Sequence, residues 1–347
     1  MQRILPRQLS ALLLLSLPLV AIAGMSTGAV KIPIDIVIQH CVSAFFRPND
    51  TDFNSAQIHT ILFHIRLPRL CLALLVGVIL AMSGAVMQGL FRNPLAAPSL
   101  IGVSSGASLG ASLVIVFVGA WLQSNSILGL SLIAMGAFVG SLFVTLTVYR
   151  LSTSMFGTSV STMLLAGIAV SALAGAVNSW LSYFADNEML RQMSLWQMGN
   201  LSNANWPRVF VTGFVGAFIL VMFFRESQSL NALLLGESEA RHLGIDVQRV
   251  KKKLILFTTL GVGSAVAVAG MIGFVGLVIP HMVRLLIGPD YRWLLPLSAL
   301  SGGMLLLIAD ILARVVFAPI EIPPGILTAA LGAPFFIMLL ADQRRQI

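Results

Sequence analysis

The 347-residue chain is 57% hydrophobic and only 10% charged, against roughly a quarter charged residues in a typical soluble domain. That balance excludes an ordinary soluble fold and predicts an all-α, polytopic membrane protein. The net charge of +8 is then a topological signal and no evidence for nucleic-acid binding, and two cysteines without partner spacing, Cys41 and Cys71, define neither a metal site nor a disulfide framework.

In chain order, apolar runs of the ~17 to 25 residues needed to cross a bilayer fall at about 8–28, 66–91, 98–119, 128–149, 159–183, 207–224, 254–271, 274–288, 293–316 and 325–341. In the first, Arg3, Arg7, a leucine run and AIAG also resemble a secretory signal, but Pro18 and the lack of a soluble domain behind it favour a retained helix. The eighth is short and contains Pro280, so it is expected to be tilted, kinked or only partly spanning. Ten spans place both termini on one side. With the N-terminus inside, 14 of the 21 Lys and Arg are cytoplasmic, Arg3, Arg7, Lys251, Lys252, Lys253 and Arg345 among them, as the positive-inside rule demands.

The whole of 1–347 is thus expected to form a single transmembrane domain. Its outer loops lie at about 29–65, too short for a receptor domain, and at about 184–207. The latter contains LRQMSLWQMGNL, whose apolar stripe suits an interfacial helix or a lid over a pore mouth. Small residues recur every fourth position (Gly77, Ala81, Ala85 and Gly89; Gly102, Gly106 and Gly110; Gly261, Ala265 and Ala269), which predicts close helix packing.

Catalytic motifs are weak. Gly102-Val103-Ser104-Ser105-Gly106 fits G-x-S-x-G, but a nucleophile elbow needs a preceding strand and a positioned His and acid, and here Pro94 and Pro98 precede a small-residue helix. No lysine stands where a phosphate-binding loop requires one, so the chain is not expected to hydrolyse ATP unaided. The only acid well inside a span is Asp310, with Arg314 at i+4; an ion pair fixing the ninth helix competes with a proton-coupling role.

Between Phe224 and Leu254 the chain comes up into water with RESQSLNALLLGESEARHLGIDVQRVKKK, at about 225–253. It reads as two short helices: Leu233, Leu234 and Leu235 form an apolar edge, Gly236 breaks the first helix, Glu237 to Leu243 form the second and Gly244 stops it. The segment is either a docking surface for a soluble partner or a solvated connector.

Several stretches together resemble the permease subunits of type II ATP-driven importers for iron siderophores, heme and cobalamin. They are RLPR (Arg66 to Arg69), QGLFRNPLAAPSLIGVSSGA (Gln88 to Ala107), LWQMGNL (Leu195 to Leu201), LLLGESEARHLGI (Leu233 to Ile245), GMIGFVGLVIPHMVRLLIGPDYRWLLP (Gly270 to Pro296), ADILAR (Ala309 to Arg314) and EIPPGILTAALGAPFFIMLL (Glu321 to Leu340). The resemblance implies a non-catalytic, ten-helix subunit of the bacterial inner membrane that pairs with a second copy, two cytoplasmic ATPase subunits and a periplasmic substrate-binding protein. It implies that Leu233, Leu234, Leu235, Gly236, Glu237, Ala240, Leu243 and Gly244 couple to the ATPase. It also implies that Arg66, Arg69 and Arg314 meet acids of the binding protein, an alternative being internal pairing with Asp310 or Glu321. Asn93, Pro94, Leu95, Ser159 and Thr162 are expected along the gate and translocation path. No cofactor or metal is expected on the chain itself, ATP being used by the partner subunit. ADNEMLRQMSLWQMGNL resembles heme permeases most, with Phe184, Met189, Arg191, Met193 and Met198 as candidate substrate contacts, although Asn187 and Asn200 depart from that pattern. A ferric siderophore or cobalamin is the alternative cargo, and an ion-coupled secondary transporter the more distant alternative.

Overall fold

The computed structural model describes residues 5–28, 30–46, 53–122, 126–155, 157–318 and 320–344; Arg3 and Arg345 lie outside them. The chain forms α1 (Pro6–Ser26), α2 (Ile34–Phe46), α3 (Phe53–Thr60), α4 (Leu67–Leu90), α5 (Val103–Leu122), α6 (Ser126–Leu151), α7 (Val160–Phe184) and α8 (Asn187–Gln197). There follow α9 (Trp206–Arg225), α10 (Ser227–Leu235), α11 (Glu237–His242), α12 (Val247–Ala269), α13 (Val275–Ile287), α14 (Tyr291–Val315) and α15 (Pro324–Arg344). A two-strand hairpin, β1 (Thr153–Ser154) and β2 (Gly157–Thr158), joins α6 to α7. Each of the ten expected apolar runs lands on a helix. Among the described residues seven helices are long and apolar enough to cross a membrane, and α5, α13 and α15 contribute shorter apolar helices.

Helix boundaries follow local chemistry. Ser159, Asp186, Asn205, Asp246 and Asp290 accept backbone N–H bonds at the starts of α7, α8, α9, α12 and α14. The segment at 29–65 holds α2 and α3, and a π-helical turn at Ile61–Arg66 runs α3 directly into α4.

The bundle is built around α4, of whose apolar window 78% is buried, with α14 and α12 against it; α1 and α7 bury only 17% of theirs. Glycines permit this packing. A Cβ on Gly77 would meet the Gly302 carbonyl, one on Gly84 the Gly276 carbonyl, and ones on Gly106 and Gly110 the carbonyls of Gly140 and Gly136. Gly175 has nothing near it, which leaves the middle of α7 open on one side. The G-x-S-x-G stretch follows a 3₁₀ turn (Pro98–Ile101) and not a strand, and Ser105 Oγ lies 2.9 Å from Ser171 Oγ as a helix-packing contact.

Candidate coupling surface and charge cluster

One end of the bundle, the near end, gathers the α4, α6, α9 and α13 C-termini with α10 and α11. Leu230 and Leu233 are buried and tie α10 to the body. Asn231 reinforces this by donating to Asp290 Oδ1 at 2.7 Å and accepting from Tyr291 N at 2.9 Å. Gly236 breaks the pair with φ 130° and ψ 158°, a conformation open essentially to glycine. α11 then turns on buried Ala240 and ends at Gly244, φ 82°.

These contacts divide the expected apolar edge. Leu233 and Ala240 point into the chain and cannot meet a partner, whereas Leu235 is 65% and Leu243 64% exposed, one on each side of Gly236. Leu234 is half-buried. The leucine triplet was legible as sequence, but its split between body and surface depends on the helix rotation set by Leu230.

Nearby, Asn93 Oδ1 accepts from Leu95 N at 2.9 Å in a tight turn after α4, with Pro94 half-buried in it. Ser159 Oγ accepts from Thr162 N at 3.3 Å and lies 3.0 Å from Thr162 Oγ1, both residues being exposed at the start of α7. The structure therefore brings Ser159 and Thr162 together, and Asn93 to Leu95 into a separate turn at the same end.

At the far end the three arginines are not presented to water. Arg66, Arg69 and Arg314 are 5%, 7% and 4% exposed. Arg69 Nε donates to Asp310 Oδ1 at 2.9 Å and Nη1 to Glu321 Oε2 at 2.7 Å. Arg314 Nε sits 3.1 Å from Asp310 Oδ2, and Nη1 donates to Gly24 O and Thr27 O at 3.3 and 3.1 Å. Arg66 donates to the carbonyls of Met25 and Val30. Arg69 and Arg314 thus make the internal pairing that was the alternative to docking on a partner's acids, and Arg66 goes to backbone carbonyls instead. Fully buried Asp310 gathers two cations, and carbonyls at and after the α1 C-terminus accept from Arg66 Nη1 and Nη2 and from Arg314 Nη1. Sequence reasoning found the Asp310–Arg314 spacing. It missed the anchoring of α1, for which only the end of a helix with unspent carbonyls is a signal.

Among the substrate candidates, Met193 is buried and Met189 half-buried, while Phe184, Arg191 and Met198 are exposed. Phe184 packs edge-on to Trp180 at 5.1 Å and Tyr183 at 5.3 Å, at the far end of the exposed α7 face. Arg191 lies 3.5 Å from Glu188 on the surface of α8. α8 borders a cavity of about 510 Å³ edged by Glu188, Gln192, Trp196 and Arg208, none of its lining residues being on α7. Among the described residues no His, Cys, Asp and Glu cluster could hold a metal.

A central apolar helix, an open face on α7 and an exposed two-helix surface at one end define a multi-span helical membrane protein. Residues 13–342 match the FecCD transport family, and the chain belongs to that family. It is accordingly a multi-pass permease subunit of the inner membrane, non-catalytic, with ATP hydrolysis residing in a separate subunit. The chain is 43% identical over 344 residues to a hemin transport system permease of Yersinia pestis, covering 99% of this chain and 98% of that one. It is 45% identical over 282 residues to a cobalamin import permease of Halobacterium salinarum, covering 80% and 73%. Its fold superposes with a TM-score of 0.81 on an inward-facing metal-chelate-type ABC transporter, 32% identical and covering 97% and 99% of the two chains.

Proposed function

We propose that the chain is the ten-span, homodimeric permease of a metal-chelate importer whose cargo is heme, with both termini in the cytoplasm. The observation that carries the cargo is the 43% identity to a hemin permease along essentially the whole of both chains. Three exposed aromatics, Trp180, Tyr183 and Phe184, stand at the far end of α7, where a porphyrin could enter, with Met198 and Arg191 on the following segment. Burial removes Met193 from that set. The open face of α7, with Leu165, Ile168 and Leu173 exposed, suits a wall of a path shared with a second copy.

Coupling falls to Leu235 and Leu243 about the Gly236 turn, with Glu237 and Gly244 shaping the second helix. The gate falls to Ser159 and Thr162 with the Asn93–Leu95 turn at the same end. The binding protein docks on the far end, whose surface is held by Arg66, Arg69 and Arg314 from beneath and offers the half-exposed Glu321. The test is reconstitution with the ATPase and binding protein in liposomes enclosing a heme-trapping protein. Hemin should accumulate with ATP; uptake of a ferric siderophore or cobalamin but not hemin would replace the cargo, and uptake driven by an ion gradient without the ATPase would replace the class.

A further inference from the structure

Three lysines in a row open α12, and only one is buried. Lys252 and Lys253 are exposed, and Lys253 pairs with Glu226 at 2.9 Å. Lys251 is 3% exposed; its Nζ lies 2.6 Å from Glu237 Oε1, on the first residue of α11, and 3.0 Å from Thr158 O, on β2 of the hairpin. A buried ammonium is costly unless paired and hydrogen-bonded, so this side chain is held where it is by both partners. Topology does not require it, since its two neighbours already supply positive charge on that side.

The hairpin is gripped a second time from the same helix. Gln248, three residues earlier on α12, accepts from Thr158 N at 2.9 Å. Its amide fills the space beside Gly157, φ 108°, where any Cβ would collide with it. Thr158 thus has both backbone groups fixed by α12, and the next residue, Ser159, caps α7. One side chain therefore joins α11 to the peptide that begins α7.

We propose that Lys251 is a positioning residue that makes α11 and the α6–α7 hairpin move as one body, carrying displacement of the coupling helix to the start of α7. This rests on α10–α11 being the ATPase surface. Two bonds on a short lever transmit a shift because neither α11 nor the hairpin can move without breaking a charge-assisted bond or taking the other along. Glu237 is half-exposed, so in a Lys251→Met variant it rehydrates and the methionine fills the space of the lysine stem without burying a charge.

The experiment uses the full complex, with spin labels at Met155, 98% exposed on the hairpin, and exposed Ser238 on α11, in a background lacking Cys41 and Cys71. In the parent chain the Met155–Ser238 distance should stay constant between nucleotide-free and ATP-bound states. In Lys251→Met it should change between them, and substrate moved per ATP should fall at least tenfold while the ATPase co-purifies as before. Lys251→Arg should recover at least half of the transport. An unchanged distance and unchanged transport per ATP in Lys251→Met would overturn the proposal. So would loss of ATPase binding in that variant, which would make Lys251 part of the docking surface's scaffold. If the ATPase fails to co-purify with the parent chain, the coupling reading itself falls.

Discussion

Asp310 is the residue whose loss should be felt most at the far end. It has no solvent exposure and stands 2.9 Å from Arg69 Nε and 3.1 Å from Arg314 Nε. At an effective dielectric of ~20, each contact of about 4 Å between charge centres contributes ~4 kcal/mol of attraction. Against this stands the desolvation of three ions, several kcal/mol each, so the intact cluster contributes little net stability. Removing one member is different, because the carboxylate's own burial cost vanishes while two guanidinium groups remain buried. Glu321 still holds Arg69 at 2.7 Å, and carbonyls still hold Arg314, which limits the loss. Asp310→Asn should therefore cost about 3 to 5 kcal/mol, raising the population of the locally opened far end by a factor of roughly 10² to several times 10³.

Cys71, two residues from Arg69 and half-buried, reports that opening. In a Cys41→Ser background its modification by a membrane-permeant maleimide should accelerate in Asp310→Asn, and the detergent-solubilised chain should lose its fold at a lower temperature. Arg69→Met with Asp310→Leu should recover part of the loss, because swapping a buried pair for apolar residues is often neutral. Labelling and heat tolerance equal to the parent in Asp310→Asn and in Arg69→Met alike would refute the argument. The cluster would then be hydrated and of no structural consequence.

Gly236→Val has room for its Cβ, the nearest neighbour being 3.8 Å away, but forces a branched residue to φ 130°, a strain of about 1 to 3 kcal/mol; insertion should persist while transport and substrate-stimulated ATP hydrolysis fall together. Leu235→Glu and Leu243→Glu should each weaken ATPase co-purification without lowering heat tolerance, and Leu233→Glu, buried on the body, should lower heat tolerance instead. Gly110→Leu should prevent α5 and α6 from closing at Gly136, visible as loss of folded protein in mild detergent. An impermeant thiol reagent applied to intact cells should reach a cysteine at Asn187 and not one at Ser238; the reverse pattern would invert the orientation.

The apolar helices were legible because the need to bury twenty or so consecutive apolar residues is written locally. So were the Gly236 break and the Asp310–Arg314 pair, each decided within one turn of chain. What stayed hidden depends on contacts across large sequence separations. Arg69 meets Asp310 and Glu321 from 241 and 252 residues away, and Lys251 meets Thr158 from 93. Arg66 and Arg69 were expected to meet a partner's acids because the resemblance carries over residue types and not what covers them in this chain. The same gap explains the leucines of α10: their spacing allowed an apolar edge, but burial of Leu230 and Leu233 decides that Leu235 alone is left outside.

The two ends of the molecule solve opposite problems with the same residue types. At the far end, charges are buried as a closed cluster that joins α1, α4, α14 and the segment before α15, and breaking it exposes ions to no partner. At the near end, one buried lysine faces a half-exposed glutamate and a backbone carbonyl, so breaking either bond strands a buried ammonium and the two parts it joins shift together. A permease driven from one side needs a stiff body that does not absorb the applied displacement, and a driven end whose parts shift together. A closed charge cluster suits the first requirement, and the Gly236 turn with its lysine link suits the second.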